Sequence, residues 1–254
     1  MSNQNLNQPL KGKTAIITGA SKNLGGGSAK LLGSMGANVV VHYHKSVSKK
    51  EAEDVAASIR EGGSECSLFQ ADLTDIKNST KLFDHAVETF GRADILVNTI
   101  GVMLKKPVNE VTEEDFDRMF NIHAKAAFFL FREAAKRLQN EGRIINISSS
   151  TTVATMTGFY HVYAGAKAAS EQFTKMIARE VGDRGITVNS ILPGALNTSF
   201  FYPVEDEHSI AWAKSMGIGN RLGEVGDVIP LVAFLAQPES GWITAQSIRV
   251  NGGY

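Results

Sequence analysis

Tyr163 and Lys167 stand four residues apart in the run Tyr163-Ala164-Gly165-Ala166-Lys167. On a helix that spacing puts them on one face, one turn apart. A phenol beside a fixed ammonium has its anionic form stabilised, so its pKa falls from an ordinary value of about 10. Such a tyrosine can give or take a proton near neutral pH. The same spacing also arises by accident on amphipathic helices, so the surrounding sequence has to decide. Ser148-Ser149-Ser150, shortly upstream, offers hydroxyls to the same place.

A second cluster lies near the start of the chain. Residues 13–18, Lys-Thr-Ala-Ile-Ile-Thr, read as a short buried strand. Gly19-Ala20-Ser21-Lys22-Asn23-Leu24-Gly25-Gly26-Gly27 follows, and Ser28-Ala29-Lys30-Leu31-Leu32 carries the pattern into a helix. Strand, glycine-rich turn and helix start together form an anion site of backbone N–H groups and helix dipole. The strand Ala37–Tyr43 completes a βαβ unit suited to a dinucleotide. A site for NAD usually has Asp or Glu at the end of that second strand, bonded to the ribose hydroxyl. Here Tyr43-His44-Lys45-Ser46 is followed by no acid before Glu51. Lys22, His44, Lys45 and Ser46 could instead surround a 2′-phosphate, although a basic run is also an ordinary solvated loop. The missing acid points to NADP(H) as the cofactor rather than NAD(H).

These residues need a frame. Strand-like runs lie near 13–18, 37–43, 65–70, 94–98, 143–148, 186–191 and 246–250. Helical patterns fill 25–35, 48–61, 75–90, 113–139, 161–182 and 224–236. The alternation predicts an α/β chain, a Rossmann-type doubly wound sheet of seven parallel strands with helices on both faces. Ligands bind such sheets at the carboxyl ends of the strands. Asn98 to Gly101, Ser149 and Pro193 to Thr198 all fall at those ends, and Tyr163 opens the helix after the fifth strand.

Composition narrows the rest. With 254 residues, 43% of them hydrophobic, and no linker or repeat, residues 10–254 read as one domain behind a flexible tail, 1–9. Lys+Arg and Asp+Glu balance at 26 each, which argues against nucleic acid or an acidic membrane as partner. No run is apolar enough to span a bilayer, and the Asn/Gln-rich start has no signal-peptide core. Cys66 is the single cysteine and reads as a buried hydrophobe in a reducing compartment, so a cytoplasmic location is expected. The six histidines show no metal-site spacing; His161, two residues before Tyr163, reads as a helix-start surface histidine.

The ordered set Thr18-Gly19…Gly25, Asp72-Leu73-Thr74, Asp94-Ile95-Leu96-Val97-Asn98…Gly101, Asn121, Ile147-Ser148-Ser149, Tyr163…Lys167, Pro193-Gly194…Thr198 and Val250-Asn251-Gly252-Gly253 resembles the short-chain dehydrogenase/reductase family, in particular bacterial β-ketoacyl reductase-like members. The resemblance covers about Leu10 to Tyr254. It implies a nicotinamide-dependent oxidoreductase in which Asn121, Ser149, Tyr163 and Lys167 are catalytic. Tyr163 would protonate the carbonyl oxygen and Ser149 would hold it. Lys167 would bond the nicotinamide ribose and lower the Tyr163 pKa, and Asn121 would hold a water leading to Lys167. From sequence alone, Asn121 also reads as a helix-surface amide. The cofactor would further touch Gly19, Ser21, Lys22, Asn23, Leu24, Gly25, Asp72, Leu73, Asn98, Gly101, Pro193, Gly194 and Thr198. Asp72 also reads as a loop cap and Asn98 as a tie between strands.

Three departures stand out. Asn23 replaces a glycine of the turn, a position Asn tolerates because it adopts positive φ. Asn98-Thr99-Ile100-Gly101 replaces Asn-Asn-Ala-Gly, adding bulk at Ile100. Ser149 lies fourteen residues before Tyr163 and Ser150 thirteen, where the family has thirteen. Strand register favours Ser149, with Ser150 as the alternative.

The stretch 195–219 reads as a substrate lid, a long loop bearing Phe200, Phe201, Tyr202 and Trp212. With Ser149, Met103, Leu104, Met156, Phe159 and Tyr160 it would surround an apolar or aromatic ketone. The family implies a homotetramer, and Ala124–Leu130 would face either a partner copy or its own sheet. The expected function is an NADPH-dependent carbonyl reductase, reversible as an alcohol dehydrogenase. The alternative is a cofactor-sensing protein that kept the fold without turnover.

Overall fold

The structure is a computed structural model and describes residues 8–154 and 158–253. Seven parallel strands form one sheet in the order β3-β2-β1-β4-β5-β6-β7. They are β1 (Thr14–Thr18), β2 (Asn38–Tyr43), β3 (Cys66–Gln70), β4 (Ile95–Asn98), β5 (Arg143–Ile147), β6 (Thr187–Pro193) and β7 (Ser247–Val250). Each lies within a few residues of an apolar run expected from sequence. Parallel neighbours require crossovers, supplied by α1 (Asn23–Ser34), α2 (Lys49–Glu61), α3 (Lys77–Phe90), α4 (Glu113–Phe120), α5 (Ala127–Arg137), α6 (His161–Glu180), α7 (Glu207–Met216) and α8 (Val225–Ala236).

The strands are apolar on both faces, as a doubly covered sheet demands. Ala15, Ile17, Val39, Val41, Val97 and Ile145 pack against Leu32, Val55, Ile59, Val228 and Val232 of α1, α2 and α8. Ile16, Val40, Leu96, Ile144 and Val188 point the other way, onto Leu82, Phe83, Leu130, Phe131 and Ile177 of α3, α5 and α6. Truncating a buried Phe such as Phe83 or Phe131 to Ala costs roughly 3–5 kcal/mol at such sites.

A polar seam crosses this core. Thr18 Oγ1 donates to Asn98 Oδ1 (3.0 Å), and Asn98 Nδ2 to Asn146 Oδ1 (3.0 Å). Asn146 Nδ2 reaches Ser170 Oγ on α6 (3.1 Å). The seam locks β1, β4, β5 and α6 in register, and each buried amide is satisfied. Asp94 is structural, accepting from Thr14 N (2.9 Å) and Arg92. The strand order reverses between β1 and β4. Their connections diverge there and leave a crevice at the carboxyl ends.

Two elements differ from expectation. The helix expected over 113–139 is interrupted by a π turn, Asn121–Ala126, between α4 and α5. One extra residue per turn leaves the apolar pattern almost unchanged, so periodicity does not betray it. The stretch 195–219, expected as a loop, is not wholly loop, because α7 occupies 207–216. Asp206 caps it, accepting from Ser209 N (2.7 Å). Residues 1–7 of the expected tail lie outside the described residues. Gln8 already belongs to a turn, its carbonyl accepting from Lys11 N (3.1 Å), and Leu10 is buried in the core. Cys66 is a free, buried thiol whose pKa burial raises to about 11, so it is unreactive near neutrality. Among the described residues no helix is long and apolar enough to cross a membrane, and no cluster could hold a metal.

Candidate active site

A cavity of about 710 Å³ opens at the carboxyl ends of β1, β2, β4, β5 and β6. At one end lies the glycine-rich turn. Lys22 is extended ahead of α1, no side chain caps that helix and no acid occupies its first turn, so its leading N–H groups suit an anion. A Cβ on Gly25 would lie 2.3 Å from the Gly19 carbonyl oxygen, so only glycine lets α1 sit this close to β1. Asn23 takes φ +51°, the conformation expected of the residue replacing glycine, and its Nδ2 donates to Ser199 Oγ (3.2 Å).

His42, not assigned a role from sequence, holds this turn. Gly19 N donates to His42 Nδ1 (3.1 Å) while Nε2 bonds the Ala71 carbonyl (3.0 Å). Burial lowers its pKa to about 4, so the ring is neutral and can accept and donate at once. A polar residue inside an otherwise apolar strand was the available signal.

Tyr43, His44 and Ser48 line the cavity beyond β2, with no acid contributed by that strand end. Lys22 and His44 each already face a carboxylate. Lys22 Nζ lies 3.7 Å from Glu51 and His44 Nε2 3.6 Å from Asp72. Exposed pairs of this kind are weak and yield to a stronger anion. Lys45 and Ser46 do not reach the cavity, and Ser46 Oγ instead accepts from Gln70 Nε2 (3.0 Å). Asn98 is likewise turned into the seam. Asp72 and Leu73 do line the cavity, and Asp72 Oδ1 also accepts from Thr74 N (2.9 Å) as a loop cap. Gly101, Pro193, Gly194, Thr198 and the bulkier Ile100 lie along the same wall.

Ser149, Tyr163 and Lys167 lie at the cavity floor, and Asn121 lines the same cavity. The Ser149 hydroxyl lies beside the Tyr163 phenol, where it favours the ionised form, and accepts from Thr151 Oγ1 (2.9 Å). Ser150 Oγ turns away and donates to the Leu192 carbonyl (3.0 Å), which separates the two serines. Lys167 Nζ donates to the Ile147 carbonyl (2.8 Å). Its pKa is lowered by burial to about 8, with the Glu171 carboxylate pulling it back up. Glu171 extends the Tyr163–Lys167 spacing by another four residues, a signal present in the sequence and not used. It accepts from Ser148 Oγ (2.5 Å) and Ser247 Oγ (3.2 Å). The expected fall in the Tyr163 pKa is not realised: burial pushes it up to about 12, opposed only by the Ser149 hydroxyl. The phenol is fully desolvated while the ammonium spends a donor on Ile147, so desolvation wins.

The other end of the cavity is made of side chains from 103–105 and 195–219 with Tyr160. Met103, Tyr160, Phe200, Phe201 and Trp212 line it. Tyr160 Oη donates to Glu205, whose other oxygen lies 2.6 Å from Lys105 Nζ. The Glu205 side chain is only 1% exposed, so this is a buried ion pair tying loop, α6 start and the stretch 195–219 together. Tyr202 faces outward, its hydroxyl bonded to Asn197 Oδ1 (2.6 Å), and Phe159 is exposed. Leu104 is buried behind the wall. Met156 lies outside the described residues. His161 is partly buried at the start of α6 and does not line the cavity.

Comparisons with known proteins agree with this geometry. The family model described as enoyl-(acyl carrier protein) reductase matches residues 19–254. Versicolorin reductase stcU of Emericella nidulans is 38% identical over 97% of this chain and 97% of its own. A putative dehydrogenase from Burkholderia cenocepacia, solved with bound NADP, is 40% identical with a TM-score of 0.93, covering 96% of this chain and 94% of that one. The angucycline C-6 ketoreductase LanV, also solved with NADP, is 36% identical with a TM-score of 0.89, covering 97% and 96%. A matching model over most of the chain, relatives similar over nearly their whole length and a shared sheet topology lead to one conclusion: the chain belongs to the short-chain dehydrogenase/reductase family.

Proposed function

We propose that the protein is an NADPH-dependent carbonyl reductase acting on aromatic, polycyclic ketones, reversible as an alcohol dehydrogenase. The observation that carries this is the convergence of Ser149, Tyr163 and Lys167 on one cavity whose far end is an uncapped helix start. The acid-free end of β2, together with Lys22, His44 and Ser48, favours a cofactor bearing a 2′-phosphate. The NADP named with two similar structures supports the same choice. Gly19, Ser21, Asn23, Leu24 and Gly25 would hold the pyrophosphate through backbone N–H groups.

Bound NADPH supplies the hydride. The chain supplies everything else. As negative charge develops on the carbonyl oxygen, Tyr163 donates its proton to that oxygen and Ser149 donates a hydrogen bond to it. A donor aimed at developing charge is worth roughly two to three powers of ten in rate. Lys167 offers its remaining ammonium protons to the cofactor ribose. Asn121, at the start of the π turn, lines the same cavity with its amide. Phe200, Phe201 and Trp212 present aromatic faces to a flat substrate. The names of the versicolorin and angucycline relatives point to the same class.

We place the enzyme in the cytoplasm as a homotetramer. Phe116, Phe128 and Met176, exposed on α4, α5 and α6, would form the contact between copies. Light scattering on a size-exclusion column tests the assembly.

The decisive assay follows NADPH and NADH oxidation at 340 nm with aromatic ketones, quinones and β-keto esters, beside Tyr163→Phe. Turnover with NADPH that is lost in the variant supports the reading. Preference for NADH overturns the cofactor choice. Tight NADPH binding without turnover across the panel favours the cofactor-sensing alternative.

A further inference from the structure

We infer that His123 is a positioning residue for the proton-transfer pair, its Nδ1 taking a hydrogen bond from the Lys167 ammonium, directly or through one water. The inference rests on the roles proposed above for Tyr163 and Lys167. His123 sits in the π turn two residues after Asn121 and is 2% exposed. Its Nε2 lies 2.7 Å from the Val102 carbonyl oxygen. A carbonyl only accepts, so at that distance Nε2 carries the proton. The 3.3 Å approach of Val102 N to the same nitrogen is the longer and weaker contact. Nδ1 is therefore a lone-pair acceptor, and among the described residues nothing bonds it. A buried unpaired acceptor is costly, so the atom calls for a partner.

The partner with protons to give is Lys167. A methyl group built on Gly101 would lie 3.4 Å from His123 Nδ1 and 3.6 Å from Lys167 Nζ, so the two nitrogens border one small space. The bare glycine keeps that space open. The groups facing Lys167 are Tyr163 and Glu171 from α6, the Ile147 carbonyl from β5 and His123 from the π turn. Ile147 takes one ammonium proton, and the ammonium has others to donate. The His123 ring also stands edge-on to Tyr163, with centroids 5.2 Å apart and planes at 88°. One side chain thus braces the phenol, the lysine and the Gly101–Val102 loop. Burial and the neighbouring Lys167 charge keep the imidazole neutral, which an acceptor requires.

The test uses full-length protein without ligand, labelled at lysine ¹³Cε and histidine ¹⁵N, with Lys167 identified by the signal lost in Lys167→Arg. Asn at 123 places an amide oxygen near the Nδ1 position, and Gln places an amide N–H near Nε2. The Lys167 titration midpoint should stay within about 0.3 pH unit of wild type in His123→Asn and fall by about one pH unit in His123→Gln. In wild type, His123 should show the Nε2–H tautomer from pH 5 to pH 9. The alkaline limb of kcat, where a ketone substrate is in hand, should move with the Lys167 midpoint. An unmoved midpoint in both variants overturns the inference. So does a fall in Asn but not Gln, which would mean that the ring only braces Val102. An Nδ1–H tautomer in wild type overturns it even if neither variant folds. Absence of turnover leaves these NMR readouts intact, so failure of the reductase reading and failure of this one are told apart.

Discussion

The two ends of the cavity are built from different materials. The end at β1 and β2 is made of backbone: N–H groups of the first turn of α1, a glycine that lets helix meet strand, and a neutral histidine holding the turn. The opposite end is made of side chains, joined by Tyr160, Glu205 and Lys105. Backbone cannot be altered by most substitutions, whereas side chains can. A fold arranged this way keeps one cofactor while its substrate changes. The floor between the ends, where Tyr163 and Lys167 lie, serves both.

Tests that strike one end at a time sharpen the contrast. The floor should show the largest effect. Tyr163→Phe is expected to lower kcat by about a thousandfold or more while leaving the NADPH Kd within about twofold, measured by fluorescence titration. A matching loss of cofactor affinity would mean the floor belongs to the cofactor end. Next is Gly25→Ala, whose Cβ would collide with the Gly19 carbonyl. NADPH should bind about a hundredfold more weakly, and Ser21→Ala should lose far less.

The third effect is in pH. His42 titrates near 4 in the folded chain and near 6.5 when unfolded. Between those values the unfolded chain takes up the proton first, so stability falls as pH falls through the window. From pH 7 to pH 5, wild type should lose about 2 kcal/mol relative to His42→Gln in urea unfolding. A constant difference would show that His42 does not titrate as a buried neutral ring. The smallest effect is expected at the Glu205 end. Glu205→Gln should raise the ketone KM about tenfold with the NADPH Kd unchanged. A loss at both ends would remove the distinction between them.

The sheet was legible because each strand is a short apolar run bounded by turn residues and covered on both faces, which leaves one reading. The floor was legible because Tyr163, Lys167 and Ser149 carry a spacing with a chemical meaning. The π turn was not, since one extra residue hides within a helical pattern. Nor was the sign of the Tyr163 shift. Spacing places a charge near a phenol, but burial depth decides whether that charge outweighs desolvation. The Tyr160–Glu205–Lys105 link joins residues 45 and 100 positions apart, a distance across which no local pattern speaks. Of the basic cluster at 44–46, His44 lines the cavity. Ser46, which opens the short 3₁₀ segment Ser46–Ser48, is bonded to Gln70 instead.

The chain also carries its own optical reporter. It has two tryptophans, and they sit in opposite surroundings. Trp212, on α7, lines the cavity, and Trp242 is 98% exposed. A reduced nicotinamide in the cavity would accept excitation energy from Trp212 and quench its emission, while Trp242 would answer to solvent quenchers. With Trp242→Phe the remaining emission comes from Trp212 alone. Entry and exit of ligand can then be timed by stopped flow, without a label and without a substrate.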